Sequence, residues 1–177
     1  KTLKAGIESE IGYTDDLLLM TEEYRLWAIE GNQEIAEVLS FAKADKGVVI
    51  AEDINLFREL KLRLLNGTHS LSCGVAFLSG LSTVKNAMDD LQLSNYINTL
   101  MQAEIAPAIP FTVAAELSRD FALSVLDRFR NPYIDHQWLS ITMQYSSKMR
   151  SRVIPVLMNY YTLFNTVPEN MATGFAA

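Results

Sequence analysis

Between Gly80 and Gly174 the chain contains no glycine. Tight turns with positive φ draw on glycine more than on any other residue, so this stretch predicts a fold joined by few such turns. The apolar residues within it recur at helical spacing, and from about Leu56 onward the sequence reads as helix. Ser82 is expected to cap a short helix reaching Leu91. Ser94 is expected to cap a second helix over residues 96–105, with Tyr96, Ile97, Leu100, Met101 and Ile105 on one face, ended by Pro107 and Pro110. Thr112 caps a third, striped by Ala114, Leu117, Phe121, Val125 and Phe129. Asn131-Pro132 begins a fourth, a cap followed by proline at the first helical position, running through Trp138, Ile141 and Tyr145. Ser146-Ser147 weakens it, Pro155 kinks its continuation ahead of residues 157–164, and residues 166–177 are expected to fray.

Residues 1–55 read differently. Residues 15–20, with Glu22 and Glu23, suggest a short amphipathic turn or helix. Residues 25–29 (RLWAI) and 47–51 (GVVIA) have the short apolar character of strands. Between them, Ile35, Val38, Leu39 and Ala42 are helically spaced, and Asp45-Lys46-Gly47 makes a turn. Two strands do not make a stable sheet by themselves, so they are expected to extend a sheet belonging to another part of the protein. Lys1 in place of an initiator methionine points the same way, to a piece of a longer chain.

The apolar helix expected over residues 57–80 (FRELKLRLLNGTHSLSCGVAFLSG) carries Lys61, Asn66 and His69 in its middle. At the α-helical increment Asn66 lies about 140° and His69 about 80° from Lys61, so the three share one arc. Each has a structural reading: a lysine reaching water along its stem, an Asn-Gly helix end, a core histidine. Together, ringed by Leu60, Leu62, Leu64 and Leu65, they make a polar group that is costly unless it faces a ligand.

With 49% hydrophobic residues the chain can bury a core of one domain. A net charge of −6 and a pI near 4.9 argue against a nucleic-acid or anionic-membrane surface. The single cysteine, Cys73, sits in the apolar helix, which excludes an internal disulfide and fits a reducing cytoplasm. No signal peptide, membrane span, G-x-G-x-x-G, P-loop or G-x-S-x-G is present. The only histidines are His69 and His136, too few for a metal site with that cysteine.

What remains is lysine chemistry. Oxidising a secondary alcohol needs a group to take its proton, and a lysine does so only where its ammonium form is disfavoured, as burial among leucines would achieve. An amide can then polarise the carbonyl. The string ELKLRLLNGTHS, preceded by EEYRLWAIEG and followed by RFRNPYIDH and SSK, resembles the polyol-specific long-chain dehydrogenases, the mannitol dehydrogenase family. Within it the likeness is greatest to the tagaturonate (altronate) reductases. The resemblance implies a mainly α, helical C-terminal dehydrogenase domain of the 6-phosphogluconate-dehydrogenase C-terminal kind over residues 56–177. A small α/β segment over residues 1–55 connects it to an N-terminal dinucleotide domain that binds NAD.

It also implies roles: Lys61 as acid/base, Asn66 as carbonyl-polarising donor, His69 as the group orienting substrate hydroxyls, with no metal. Arg128, His136 and Lys148 are then substrate contacts, since Arg128 to Arg152 concentrates five of the 15 basic residues where a sugar-acid carboxylate could be gripped. Arg130, Arg150 and Arg152 read as solvated charge, and Asn131 as a possible helix cap. The implied reaction interconverts D-tagaturonate and D-altronate in the cytoplasm; a fructuronate reductase or mannitol 2-dehydrogenase would share the same trio. A non-catalytic helical interaction module is the rival of another class. An enzyme should gather Lys61, Asn66, His69 and Lys148 in one concave pocket, and an interaction module should scatter them.

Overall fold

The computed structural model describes residues 2–19 and 21–177. The protein is mainly α, with a small α/β segment at its N-terminal end. Helix α1 (Thr2–Ile11) leads into an irregular stretch; of the turn expected over residues 15–20 only Asp16 and Leu17 form one, with Leu18 N donating to Asp15 O, and Met20 lies outside the described residues. Strand β1 (Trp27–Glu30), helix α2 (Gln33–Val38), a 3-10 turn (Ser40–Lys43) and strand β2 (Val48–Ala51) follow. The strands pair in parallel, Trp27 opposite Val48 and Glu30 opposite Ala51. Among the described residues nothing before Glu59 is buried, so this segment has no core of its own.

Helix α3 (residues 55–78) is the axis of the domain. It stays right-handed helical from Asn55 to Leu78, but Lys61–Gly67 forms a π-helical turn within it. Asn66-Gly67 therefore does not end the helix: Gly67 is helical (φ −65°, ψ −48°) and buried. The true end is Gly80 at φ +81°, with Gly80 N donating to Phe77 O and Leu81 N to Ala76 O, the bonding of a Schellman cap. Leu60, Leu64, Leu71 and Cys73 face the core.

Helix α4 (Val84–Asp89) is capped by Thr83, whose hydroxyl accepts from Asn86 N. Helix α5 (residues 91–105) is capped by Asp90, which accepts from Gln92 N and Leu93 N. The caps expected at Ser82 and Ser94 thus fall one residue early and four residues late, because Thr83 and Asp90 hold the extended backbone from which a side chain reaches N2 or N3. Helix α6 (Ala115–Phe129) has no side-chain cap, and its buried face is Ser118, Ala122, Val125, Leu126 and Phe129, rotated from the expected stripe. Asn131-Pro132 starts no helix. Asn131 Oδ1 accepts from Tyr133 N, an Asx turn that diverts the chain, and the short helix α7 (Trp138–Ile141) begins only at Trp138.

Helix α8 (residues 145–164) begins after Gln144, whose φ of 55° makes the break expected at Ser146-Ser147. It contains a π-helical turn at Met149–Val153, just before Pro155. Proline offers no N–H to the carbonyl four residues back. Arg63 of α3 supplies the missing donor, Nη1 reaching Ser151 O at 2.6 Å and Arg152 O at 3.1 Å, while its Nε pairs with the buried Glu59 at 2.9 Å. The expected kink is therefore a widened turn clamped to α3. A third such turn, Leu100–Ile105, closes α5.

Residues 166–177 are not frayed. Helix α9 (Glu169–Ala176) buries Met171 and Gly174. Buried Glu104 accepts from Asn170 N, Asn170 Nδ2 and Met171 N at 2.7–2.8 Å, so a carboxylate from α5 caps α9 and pins it against α3. Among the described residues no helix is long and apolar enough to cross a membrane.

Candidate active site

The widened turn of α3 is what presents the polar trio. In a turn bonded i→i+5, residues five apart come closer to eclipsed than the 140° of a regular α-helix allows, which draws Lys61 and Asn66 toward the same side. One helical turn further, His69 is held between rings. It stacks on Phe129 of α6 (centroids 4.2 Å apart, 4° between planes) and meets His136 and Trp138 edge-on at 5.0 and 5.9 Å. The loop carrying His136 is fixed by Val84 N donating to His136 O and Trp138 N donating to Ser82 O.

Asn66, His69, Arg128, Phe129, Asn131 and His136 line one cavity of about 220 Å³. Lys61 lines an adjoining cavity of about 190 Å³ with Tyr24, Leu26 and Phe121. A groove of about 700 Å³ opens beside them along Thr21, Tyr24, Asp127, Asn131 and Tyr133. All three share Glu22 and Arg128.

His69 Nε2 is buried and has no hydrogen-bond partner. An orphaned buried nitrogen costs free energy unless a ligand satisfies it. Burial, with His136, Arg152, Arg128 and Lys148 nearby, pushes the His69 imidazolium down to about 3. The ring is neutral at physiological pH, able to donate or accept one hydrogen bond at Nε2. Burial and Lys148 also lower His136.

Three expected residues differ from their expected surroundings. Lys61 is exposed: Leu60 and Leu64 are buried in the core and leave the lysine open to solvent. Arg128 already has a carboxylate, its Nε and Nη2 donating to Glu22 at 2.9 and 2.6 Å while Tyr24 stacks on the guanidinium at 4.4 Å. Lys148 lines neither cavity of the trio; its Nζ donates to Ile141 O at 2.7 Å, joining α8 to α7. Arg130 and Arg150 are exposed, as expected of solvated charge, whereas Arg152 is half-buried and reaches Ser70 Oγ at 3.3 Å. Glu22 and Tyr24 are the site residues that sequence reasoning did not single out. They lie in EEYRLWAIEG, but only a contact spanning 106 positions reveals them.

Among the described residues no group of three or more His, Cys, Asp or Glu side chains is arranged to hold a metal ion. The β1–α2 turn has the single glycine Gly31, and the space beside it is filled by Ile35, 2.9 Å from where a Cβ would stand.

Comparison with known proteins agrees with this architecture. The mannitol dehydrogenase C-terminal domain matches residues 53–177. The altronate oxidoreductase of Yersinia enterocolitica is 38% identical over 173 residues, covering 98% of this chain and 35% of the relative. That of Bacillus subtilis is 36% identical over 171 residues, covering 97% and 35%. The chain thus spans about 35% of the length of these curated relatives. Among solved structures, a substrate-free D-sorbitol dehydrogenase matches 99% of this chain and 35% of its own with a TM-score of 0.77 at 22% identity. Pseudomonas fluorescens mannitol 2-dehydrogenase, in a ternary complex with NAD and D-mannitol, matches the same shares with a TM-score of 0.69 at 23% identity. The fold is that of the helical C-terminal part of polyol dehydrogenases. The chain belongs to the mannitol dehydrogenase family, whose C-terminal domain it carries.

Proposed function

We propose that this chain is the substrate-handling C-terminal part of an NAD-dependent oxidoreductase interconverting D-tagaturonate and D-altronate. The observation that carries the reading is the cavity lined by both Asn66 and His69, the latter with a buried, unpartnered Nε2, beside the cavity of Lys61, in a chain similar along 98% of its length to an altronate oxidoreductase. Lys61 Nζ gives the proton to the carbonyl oxygen in reduction and takes it from the hydroxyl in oxidation. The Asn66 amide donates to that oxygen as charge develops on it. The neutral His69 ring orients a neighbouring hydroxyl through Nε2, and Arg128 supplies positive charge at the carboxylate end with His136 beside it in the same cavity, while Lys148, bonded to Ile141 O, braces α8 behind them.

Hydride chemistry belongs to the nicotinamide, which we assign to a dinucleotide-binding domain outside residues 1–177. On this reading residues 1–55 connect the two domains. Strands β1 and β2, with Trp27 59% exposed, extend the sheet of the dinucleotide domain, and residues 56–177 form the substrate domain. The exposure of Lys61 fits the same picture: closure of that domain and of substrate over the helix is what desolvates it.

The test is NADH oxidation by the full-length protein with tagaturonate, fructuronate and fructose, for wild type and Lys61→Ala. Tagaturonate turnover that falls by about a hundredfold or more in the variant is expected. A preference for fructuronate or fructose would move the substrate assignment within the family. A variant as fast as wild type would refute the role of Lys61.

A further inference from the structure

Glu22 and Arg128 are the two residues common to the three adjoining cavities, and the chemistry above uses only one of them. Their pairing is fork to fork, Nε to Oε2 at 2.9 Å and Nη2 to Oε1 at 2.6 Å. The two side chains are only 26% and 21% exposed. The Tyr24 ring lies against the guanidinium, 4.4 Å from Cζ. An arginine has four side-chain torsions, and one standing at a cavity mouth without fixed partners would sample many placements. Here two hydrogen bonds set the plane of the guanidinium, and the ring limits its tilt. With Nε and one hydrogen of Nη2 committed to Glu22, Nη1, together with the second Nη2 hydrogen, forms the edge left for a ligand.

We propose that Glu22 is a positioning residue, holding Arg128 so that Nη1 meets the carboxylate of the bound sugar acid. The proposal rests on the reading of Arg128 as a substrate contact. Glu22 touches no reacting atom; its effect passes through Arg128. Removing the carboxylate frees the guanidinium, so the cost falls on capture of the sugar acid rather than on the proton transfer at Lys61.

The experiment measures KM and kcat for the sugar acid, and NADH affinity by fluorescence titration, in the full-length protein and its Glu22→Gln, Arg128→Ala and double variants. Glu22→Gln is expected to raise KM about tenfold with kcat changed less than about twofold and NADH affinity unchanged, the pattern of lost binding rather than lost chemistry. The double variant is expected to be no worse than Arg128→Ala alone, because the two residues act as one unit. Should Glu22→Gln fold poorly, Glu22→Asp, which withdraws the carboxylate by one methylene, gives an intermediate rise in KM. A raised KM in Arg128→Ala with a wild-type KM in the Glu22 variants, or effects that multiply in the double variant, overturns the positioning role alone. A wild-type KM in Arg128→Ala overturns the substrate reading of Arg128, and the proposal with it.

Discussion

Glu104→Gln is the perturbation that most directly tests how the back of the site is built. Glu104 is buried and receives three N–H donors, from Asn170 N at 2.8 Å, Asn170 Nδ2 at 2.7 Å and Met171 N at 2.7 Å. Both carboxylate oxygens are used, and the negative charge sits at the N-terminal end of α9, where the helix dipole favours it. A glutamine keeps one acceptor and turns an NH2 toward at least one of those donors. Hydrogen bonds to a charged group contribute about 1.5–3 kcal/mol each, and part of that loss is offset because a buried carboxylate no longer has to be desolvated, which leaves a net cost of about 3 kcal/mol. The loss is local first. Asn170 and Gly174 of α9 sit against Tyr96 and Tyr145, whose hydroxyls reach the carbonyls of Leu71 (3.3 Å) and Ser70 (2.9 Å), directly after His69. Amide hydrogen exchange should therefore show α9 losing protection before the rest of the domain, and the urea midpoint should fall accordingly. Unchanged protection over residues 170–177, with a stability change under about 0.5 kcal/mol, would show that the carboxylate does not hold α9 in place.

Two further outcomes follow from buried groups around α3. His69 keeps its neutral form down to about pH 3 when folded, while the unfolded chain takes up the proton near pH 6.5. Its stabilising contribution is therefore complete above about pH 6.5 and shrinks on acidification, by up to about 1.4 kcal/mol per pH unit, until the folded pKa is reached. NMR titration of the ring should show no protonation of His69 between pH 8 and pH 5, and an inflection near 6.5 would refute the burial argument. Gly174→Ala should destabilise the protein by about 2 kcal/mol, although alanine is the better helix former by about 1 kcal/mol. A Cβ there would collide with the Leu71 carbonyl and come within 2.6 Å of Tyr96 Oη; a thermal midpoint equal to or above wild type would show that α9 and α3 can part without cost.

The elements legible in the sequence are those whose signal is local. The long apolar helix, the two strands and their turn all follow from side-chain periodicity and turn residues within a few positions. Where local signals misled, a specific competitor won. Asn131-Pro132 carries a helix-start pattern, but the Asn131 side chain turns back on Tyr133 N. Asn66-Gly67 carries a helix-stop pattern, but the segment is buried where α3 crosses α8 and the helix continues through it. Leu60, Leu62, Leu64 and Leu65 stand close to Lys61 in sequence and read as a desolvating ring, but Leu60 and Leu64 pack into the core while Lys61 is exposed. The cavity that Lys61 lines is instead formed with Glu22, Tyr24, Leu26, Phe121 and Arg128, residues far from it in sequence.

The site itself depends on features that no local pattern encodes. Apolar periodicity does not distinguish i→i+4 from i→i+5 bonding, yet the widened turn at Lys61–Gly67 is what brings lysine and amide toward one side. That turn is held in place by Arg63, which finds its acceptors 88 and 89 positions away, in the widened turn that precedes Pro155. One proline thus bears on the geometry of a distant lysine. Pro155 leaves a carbonyl without its usual donor, Arg63 must occupy the core to satisfy it, and an arginine at that point, three residues from Asn66, ties the polar side of α3 to α8. Residue types on α3 identify what the site could do; whether they converge is decided by partners on α6, α8 and the segment before β1.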